Sequence, residues 1–216
     1  MNGRTPAPRG RSYAGRSAEE RRAERRERLL AAGLELFGTR GYAATPIDRL
    51  CATARVSTRT FYEEFSGREE LLTVLHTGIT ERAVQALAAA YAEPADADLA
   101  VRVQRAVRAF VTVTASDLRW ARILFVETRA ASAGGQHQPS RPGQWENALL
   151  AMARDAVRRG DAIDRDYRLT MIAVNGAVNN LVHHWAARSQ TVPLDAITSR
   201  THPPHPPGTS FLGTHP

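Results

Sequence analysis

The sequence predicts an all-α fold in which a small three-helix unit precedes a larger helical unit, and three observations carry that prediction. Apolar residues recur at helical spacing through most of the chain. Helix start signals, chiefly Ser, Thr or Asp at an N-cap position, stand ahead of those runs. No stretch shows the alternation of a strand, and neither a phosphate-binding Gly-rich loop, an HExxH pair, a dinucleotide fingerprint nor an internal repeat occurs.

Residues 1–16 contain Arg4, Arg9, Arg11 and Arg16 with no acid and several Gly and Pro, a composition too polar to order itself. Such an arm either lies along a polyanion or serves as a solubilising tail. Ser17 and Glu20 then form a capping box, opening a helix whose Arg/Glu-rich first half is expected to be solvated. Its second half, with Leu29, Leu30, Leu34, Leu36 and Phe37, is expected to pack. Gly38 and Gly41 bracket its end, where glycine most easily makes a left-handed cap.

The stretch from Thr45 to Phe65 holds two short helices in close succession. Thr45 is the expected N-cap of the first, with Pro46 at its first helical position. Ile47, Leu50, Cys51 and Ala54 make one buried stripe, which Arg55 and Val56 interrupt. Ser57 caps the second helix, and Val56 with Phe61 matches a hydrophobic staple. Phe61 and Phe65 anchor this helix from behind, leaving Thr58, Arg59 and Tyr62 to project a hydroxyl, a guanidinium fork and a phenol. That set suits phosphates and base edges, although a helix pair on the surface of any all-α domain has similar spacing.

After it, Ser66 to Glu69 reads as another capping box and starts a long helix through Leu71, Leu72, Leu75, Ile79, Val84, Leu87 and Tyr91 to about Pro94. Arg68 stands at its N-terminal end, where free amides and the helix dipole favour a phosphate. Four further helices are predicted over 98–115, 118–131, 144–159 and 167–187, with a Gly/Pro/Ser/Gln-rich loop at 133–143.

Ile47, Leu50, Val56, Ser57, Thr60, Phe61, Tyr62, Phe65, Arg68, Glu69 and Leu71 together resemble the DNA-binding signature of the TetR (tetracycline repressor) family of bacterial transcription regulators. The resemblance runs from about Leu29 to Leu72, and beyond that it is one of helix layout. It departs from the family at Arg55, where glycine is usual, and at Glu63 and Glu64 in the recognition helix. The resemblance implies an arm (1–16), a helix-turn-helix DNA-binding domain (17–66), a helical effector-binding and dimerisation domain (67–200) and a Pro/His-rich tail (201–216). It further implies that Thr45, Ser57, Thr58, Arg59, Thr60, Tyr62 and Arg68 face a double-stranded DNA operator, and that the protein is a homodimer, most simply a repressor released by a small-molecule effector.

Composition is compatible with this. The 29 basic residues are all arginine, and the net charge of +7 favours a polyanionic partner. The single cysteine, Cys51, rules out an internal disulfide and points to a reducing compartment. No apolar run is long enough to span a membrane and the N-terminus lacks a secretory segment, so a cytoplasmic location is expected.

In the second unit, Met171, Val174, Val178, Leu181, Val182 and Trp185 are expected to pack the last long helix. Ala173, Gly176 and Ala177 are small enough to let another helix approach. Asn175, Asn179 and His183 fall on one side of it, suiting either an effector or a hydrogen-bonded dimer seam. Phe110, Thr114, Trp120, Phe125, Trp145 and Met152 are the other candidate pocket walls, and they suit a largely apolar effector. No cofactor is implied. His183 and His184, adjacent on a helix, cannot readily clamp one metal. Glu127 with His183 could form an acid-base pair, but no nucleophile or oxyanion donor accompanies them, so an enzyme is not expected. The alternative from another class is a helical enzyme or small-molecule carrier with only loose polyanion affinity. From Val192 onward Pro193, Leu194, Asp195, Ala196 and Ile197 read as the opening of one more helix, which the five prolines of 201–216 keep from continuing; this is expected to reflect either a truncated last helix or a change of reading frame near Arg200.

Overall fold

The computed structural model describes residues 17–93, 96–128, 131 and 143–187, the side chains of 179, 181 and 184–187 excepted. The arm, the 133–142 segment and everything after 187 therefore lie outside the described residues, and with them the change of reading frame expected near Arg200. The described elements are all helical: α1 Ala18–Arg40, α2 Ile47–Ala54, α3 Thr58–Glu64, α4 Arg68–Ala92, α5 Leu99–Ala115, α6 Leu118–Arg122, α7 Gln144–Arg159 and α8 Arg168–Ala187. Helix α6 runs on into a π-helical turn, Ile123–Glu127. The sequence predicts a regular helix there. Both the amide and the hydroxyl of Thr128 donate to the carbonyl of Ile123, five residues back, which widens the turn.

Local chemistry explains the helix ends. Ser17 Oγ accepts from the amide of Glu20 and Glu20 Oε2 accepts from the amide of Ser17, the expected reciprocal cap. Gly41, at φ 91°, closes α1 in a conformation that costs glycine little. At α4 the expected box is replaced by a neighbouring one: the N-cap is Gly67, and it is Glu70, not Glu69, that accepts from the amide and hydroxyl of Ser66. These two bonds, the backbone one first, hold the Glu70 carboxyl below its usual range.

Two hydrophobic clusters organise the chain. The first joins Leu29, Leu36, Phe37, Leu50, Phe61 and Phe65 to Leu71, Leu72 and Ile79 of α4 and to Ile123 of the π-helical turn. The second joins Leu87, Tyr91, Phe110, Phe125, Val178 and Val182. Helix α4 belongs to both clusters, Leu71, Leu72 and Ile79 to the first and Ala83, Leu87 and Tyr91 to the second. Of the residues expected to pack α8, Val178 and Val182 are buried, whereas Val174 is 38% exposed.

One charged group sits in the second core. The Arg102 side chain is 1% exposed, and its guanidinium donates to Asp155 Oδ2 at 2.7 Å and to the carbonyl of Tyr91 at 3.1 Å while lying over the Tyr91 ring. It ties α4, α5 and α7 together. Its hydrogen bond holds the Asp155 carboxyl below the ordinary carboxylate range.

Candidate nucleic-acid interface

Helix α3 is pinned from behind. Phe61 and Phe65 are buried with ring centroids 6.0 Å apart, and the guanidinium of Arg26 stacks 4.4 Å over Phe65. Glu64 has a side-chain exposure of only 2% and accepts from Arg22 Nε at 3.2 Å, with Arg25 at 3.9 Å. Arg26 donates to the Glu64 carbonyl at 2.8 Å. The polar first half of α1, expected to be solvated, is thus a cationic strap over the C-terminal end of α3. Arg22 and Arg25 bring their charges to one buried carboxylate, and Arg26 holds the backbone carbonyl of the same residue.

The entry to α3 is set by Arg55, whose φ of 54° and ψ of 50° put it in the left-handed region. That conformation is why glycine is usual in this turn. Ser57 caps α3 by accepting from the amide of Thr60 at 3.1 Å, and its hydroxyl also meets that of Thr60 at 2.9 Å. Thr58, Arg59 and Tyr62 are exposed, Tyr62 by 55%; Arg59 lies roughly 160° around the helix axis from Phe61, with Tyr62 and Thr58 on the flanks at about 100° and 60°. The sequence-predicted ridge is therefore assembled, with Ser57 and Thr60 at its base.

Thr45 and Arg68 are placed differently. The Thr45 side chain is fully buried and its hydroxyl donates to the Gly41 carbonyl at 2.7 Å, so it does not cap α2. Pro46 occupies the N-cap position without a side-chain hydrogen bond, and α2 begins at Ile47. The guanidinium of Arg68 donates to the carbonyls of Thr45 at 2.7 Å and Tyr42 at 3.1 Å and stacks 4.8 Å over the Tyr42 ring. It first ties the loop between α1 and α2 to α4. An open hollow lined by Ala43, Ala44, Pro46, Ile47, Asp48 and Arg68 lies beside it.

A set of contacts that the sequence does not announce joins this unit to the second one. Glu127, in the π-helical turn, accepts from the Tyr42 amide at 2.8 Å and from Arg122 at 3.0 Å. Arg122 also donates to the Thr39 carbonyl, and Arg119 donates to Glu35 at 2.6 Å. Gly38 lies so close to α6 that a Cβ there would fall 2.4 Å from Arg119 Cβ. No motif spacing could have revealed a partnership between residues 85 apart in the chain.

The other face of the same π-helical turn reaches the second core. Phe125 packs edge-on against Phe110, and its carbonyl lies 2.5 Å from His183 Nδ1. Glu127 and His183 are thus engaged separately rather than with each other. The Trp145 ring packs tilted against Phe110 with centroids 4.0 Å apart, and its Nε1 is buried with no hydrogen-bond partner. Met152 lends its carbonyl to the Tyr91 hydroxyl. Thr114 is fully buried and spends its hydroxyl on the carbonyls of Phe110 and Val111. Trp120 instead packs against the first cluster, under Arg82. Asn175 is half-buried, and the Asn179 side chain lies outside the described residues. Among the described residues no three His, Cys, Asp or Glu converge on a metal-sized site, and no helix is long and apolar enough to cross a membrane.

A short exposed helix bearing hydroxyl, guanidinium and phenol groups, set on a three-helix frame and carried by a longer helical unit, has the arrangement of a helix-turn-helix unit, and together with its family match it places the chain among DNA-binding transcriptional regulators. Residues 29–75 match the model of the bacterial regulatory proteins of the tetR family, and the chain carries that family's DNA-binding unit. No curated protein matches in sequence. In fold the chain is similar to the fatty acid degradation regulator FadR of Bacillus halodurans, with a TM-score of 0.68 at 17% identity over 82% of this chain and 91% of that one. It is also similar to FadR of Bacillus subtilis, solved in complex with stearoyl-CoA, with a TM-score of 0.64 at 17% identity over 81% and 94% of the two chains. A TetR-family regulator of Pectobacterium atrosepticum aligns with a TM-score of 0.64 at 20% identity over 86% and 91%.

Proposed function

We propose that this regulator binds a pseudo-palindromic operator as a homodimer and represses transcription until a small, largely apolar effector releases it. The observation that carries the reading is the exposed set Thr58, Arg59 and Tyr62 on a helix pinned from behind by Phe61 and capped by Ser57. One short helix makes few base contacts, so two copies reading half-sites about 34–36 Å apart, or a multiple of that, supply the specificity.

The face for pairing is α8. Leu169 is 79% and Ile172 47% exposed, and Ala173, Gly176 and Ala177 continue the same exposed side. Apolar residues of this size left in water on one helix face mark an association surface. Gly176 has open space where a Cβ would stand, which leaves room for a second helix.

The effector site in this reading is the aromatic cluster of Phe110, Phe125 and Trp145. Its unpaired Trp145 Nε1 offers a donor to a ligand acceptor, and His183 of α8 meets the carbonyl of Phe125 in the π-helical turn. Binding there shifts the population only by the difference in the effector's affinity for the two states. The π-helical turn is the physical route, because Phe125 meets the effector cluster while Glu127 holds the Tyr42 amide.

Selecting bound fragments from the host genome and measuring their affinity at two salt concentrations tests the proposal. A steep fall with salt, together with a recovered palindrome preferred over random duplex by about a thousandfold or more, supports it. Equal affinity for selected and random DNA refutes it.

A further inference from the structure

Helix α3 carries two neighbouring carboxylates, and the structure sends them to opposite fates. Glu64 is buried under Arg22 and Arg25. Glu63 lies on the outer surface with a side-chain exposure of 52%, its Oε1 accepting from Arg59 Nε at 3.1 Å. Arg59 and Glu63 stand two positions before and after Phe61, so each lies roughly 160° around the helix axis from that buried ring. They are the two most outward residues of the helix.

A carboxylate at the tip of a helix that meets DNA repels phosphates and opposes binding unless a donor faces it. In the major groove the donors are the amino groups of cytosine and adenine, and a carboxylate on the cytosine amino group is a recognised pairing. The partner residue narrows the choice. Arg59 gives only its Nε edge to Glu63, leaving its terminal nitrogens to approach the O6 and N7 acceptors of guanine. One G·C pair presents both complements side by side, guanine acceptors for Arg59 and the cytosine amino group for the free carboxylate oxygen. An adenine would set its own N7 acceptor beside the carboxylate, and thymine and guanine offer it acceptors alone.

We infer that Glu63 is a specificity-determining residue: held by Arg59, it demands a cytosine opposite the guanine that Arg59 reads and rejects other bases and backbone phosphates. The inference rests on α3 being the DNA-reading helix, as proposed above.

The test compares the wild-type chain, Glu63→Gln and Arg59→Ala by fragment selection and by fluorescence anisotropy. The base pair at which Arg59→Ala relaxes preference locates the contact. There the wild type is expected to require G·C by on the order of tenfold over A·T. Glu63→Gln, with Arg59 still reading the guanine, is expected to weaken that requirement at this base pair alone in each half-site, while binding random duplex more tightly than wild type. Its thermal midpoint should match wild type, since the side chain is half in solvent. An unchanged motif with unchanged discrimination in Glu63→Gln overturns the inference and leaves the operator reading standing. A wild type with no preference between selected and random fragments overturns both.

Discussion

Arg55 shows how a single backbone position shapes this interface. Its left-handed conformation closes α2 just ahead of the Ser57 cap of α3, yet an L side chain there costs about 1 kcal/mol relative to glycine. Arg55→Gly should therefore raise stability by about that amount, read as a higher urea midpoint at unchanged slope. An unaltered or lower midpoint would mean that the arginine side chain makes up for the strain. On the ridge itself, if its phenol hydroxyl meets a backbone phosphate as proposed, Tyr62→Phe should weaken binding to selected and random fragments alike. Arg59→Ala should also flatten base preference. Arg68→Ala belongs to a different class, since its guanidinium holds two loop carbonyls. Its loss should lower the thermal midpoint and the DNA affinity together, whereas Tyr62→Phe should leave the midpoint in place.

Between elements, the junction of α1 with α6 is the most sensitive point. Gly38→Ala would drive a methyl into the backbone and Cβ of Arg119, with contacts of 2.4 and 2.8 Å that no side-chain rotation relieves. The helices must part, at a cost of about 1–3 kcal/mol. Glu127→Ala removes the acceptor of the Tyr42 amide and the partner of Arg122, stranding a buried donor at a cost also of about 1–3 kcal/mol. The informative measurement is hydrogen exchange at Tyr42, which should accelerate in Glu127→Ala far more than the amides of α5. Protection equal to wild type would show that the carboxylate does not hold the loop.

For the whole molecule, acid and association are the two probes. Asp155 is held down by its hydrogen bond from Arg102, Asp117 by its bond from Arg119, and Glu70 by the amide of Ser66. Each has a folded pKa below its unfolded one, so each adds stability that is full above the ordinary carboxylate range and is lost as the pH falls through it. Unfolding midpoints should thus drop steeply below about pH 4. Asp155→Asn should be less stable at neutral pH and show a shallower acid slope; a slope equal to wild type would remove Asp155 from the account. Gly176→Leu fills open space on the protomer, so the chain should stay folded while the close approach of a second α8 is blocked. A sedimentation profile moving from dimer to monomer, with helicity retained and palindrome preference lost, is the expected result.

The all-α fold, the positions of the helices and the outward ridge of α3 were legible in the residues themselves. Helical period, caps and turn formers act over four or five positions, and the phenylalanines behind α3 declare its buried face by spacing alone. Tertiary structure decided which polar groups are free. It sent Arg22, Arg25 and Arg26 to Glu64, turned Thr45 inward, gave Arg68 to the loop carbonyls, and widened the helix after α6 so that Glu127 meets Tyr42. A charged side chain's partner is chosen by whatever the fold brings within 3 to 4 Å. No local pattern encodes that when the partners stand 23 to 85 residues apart.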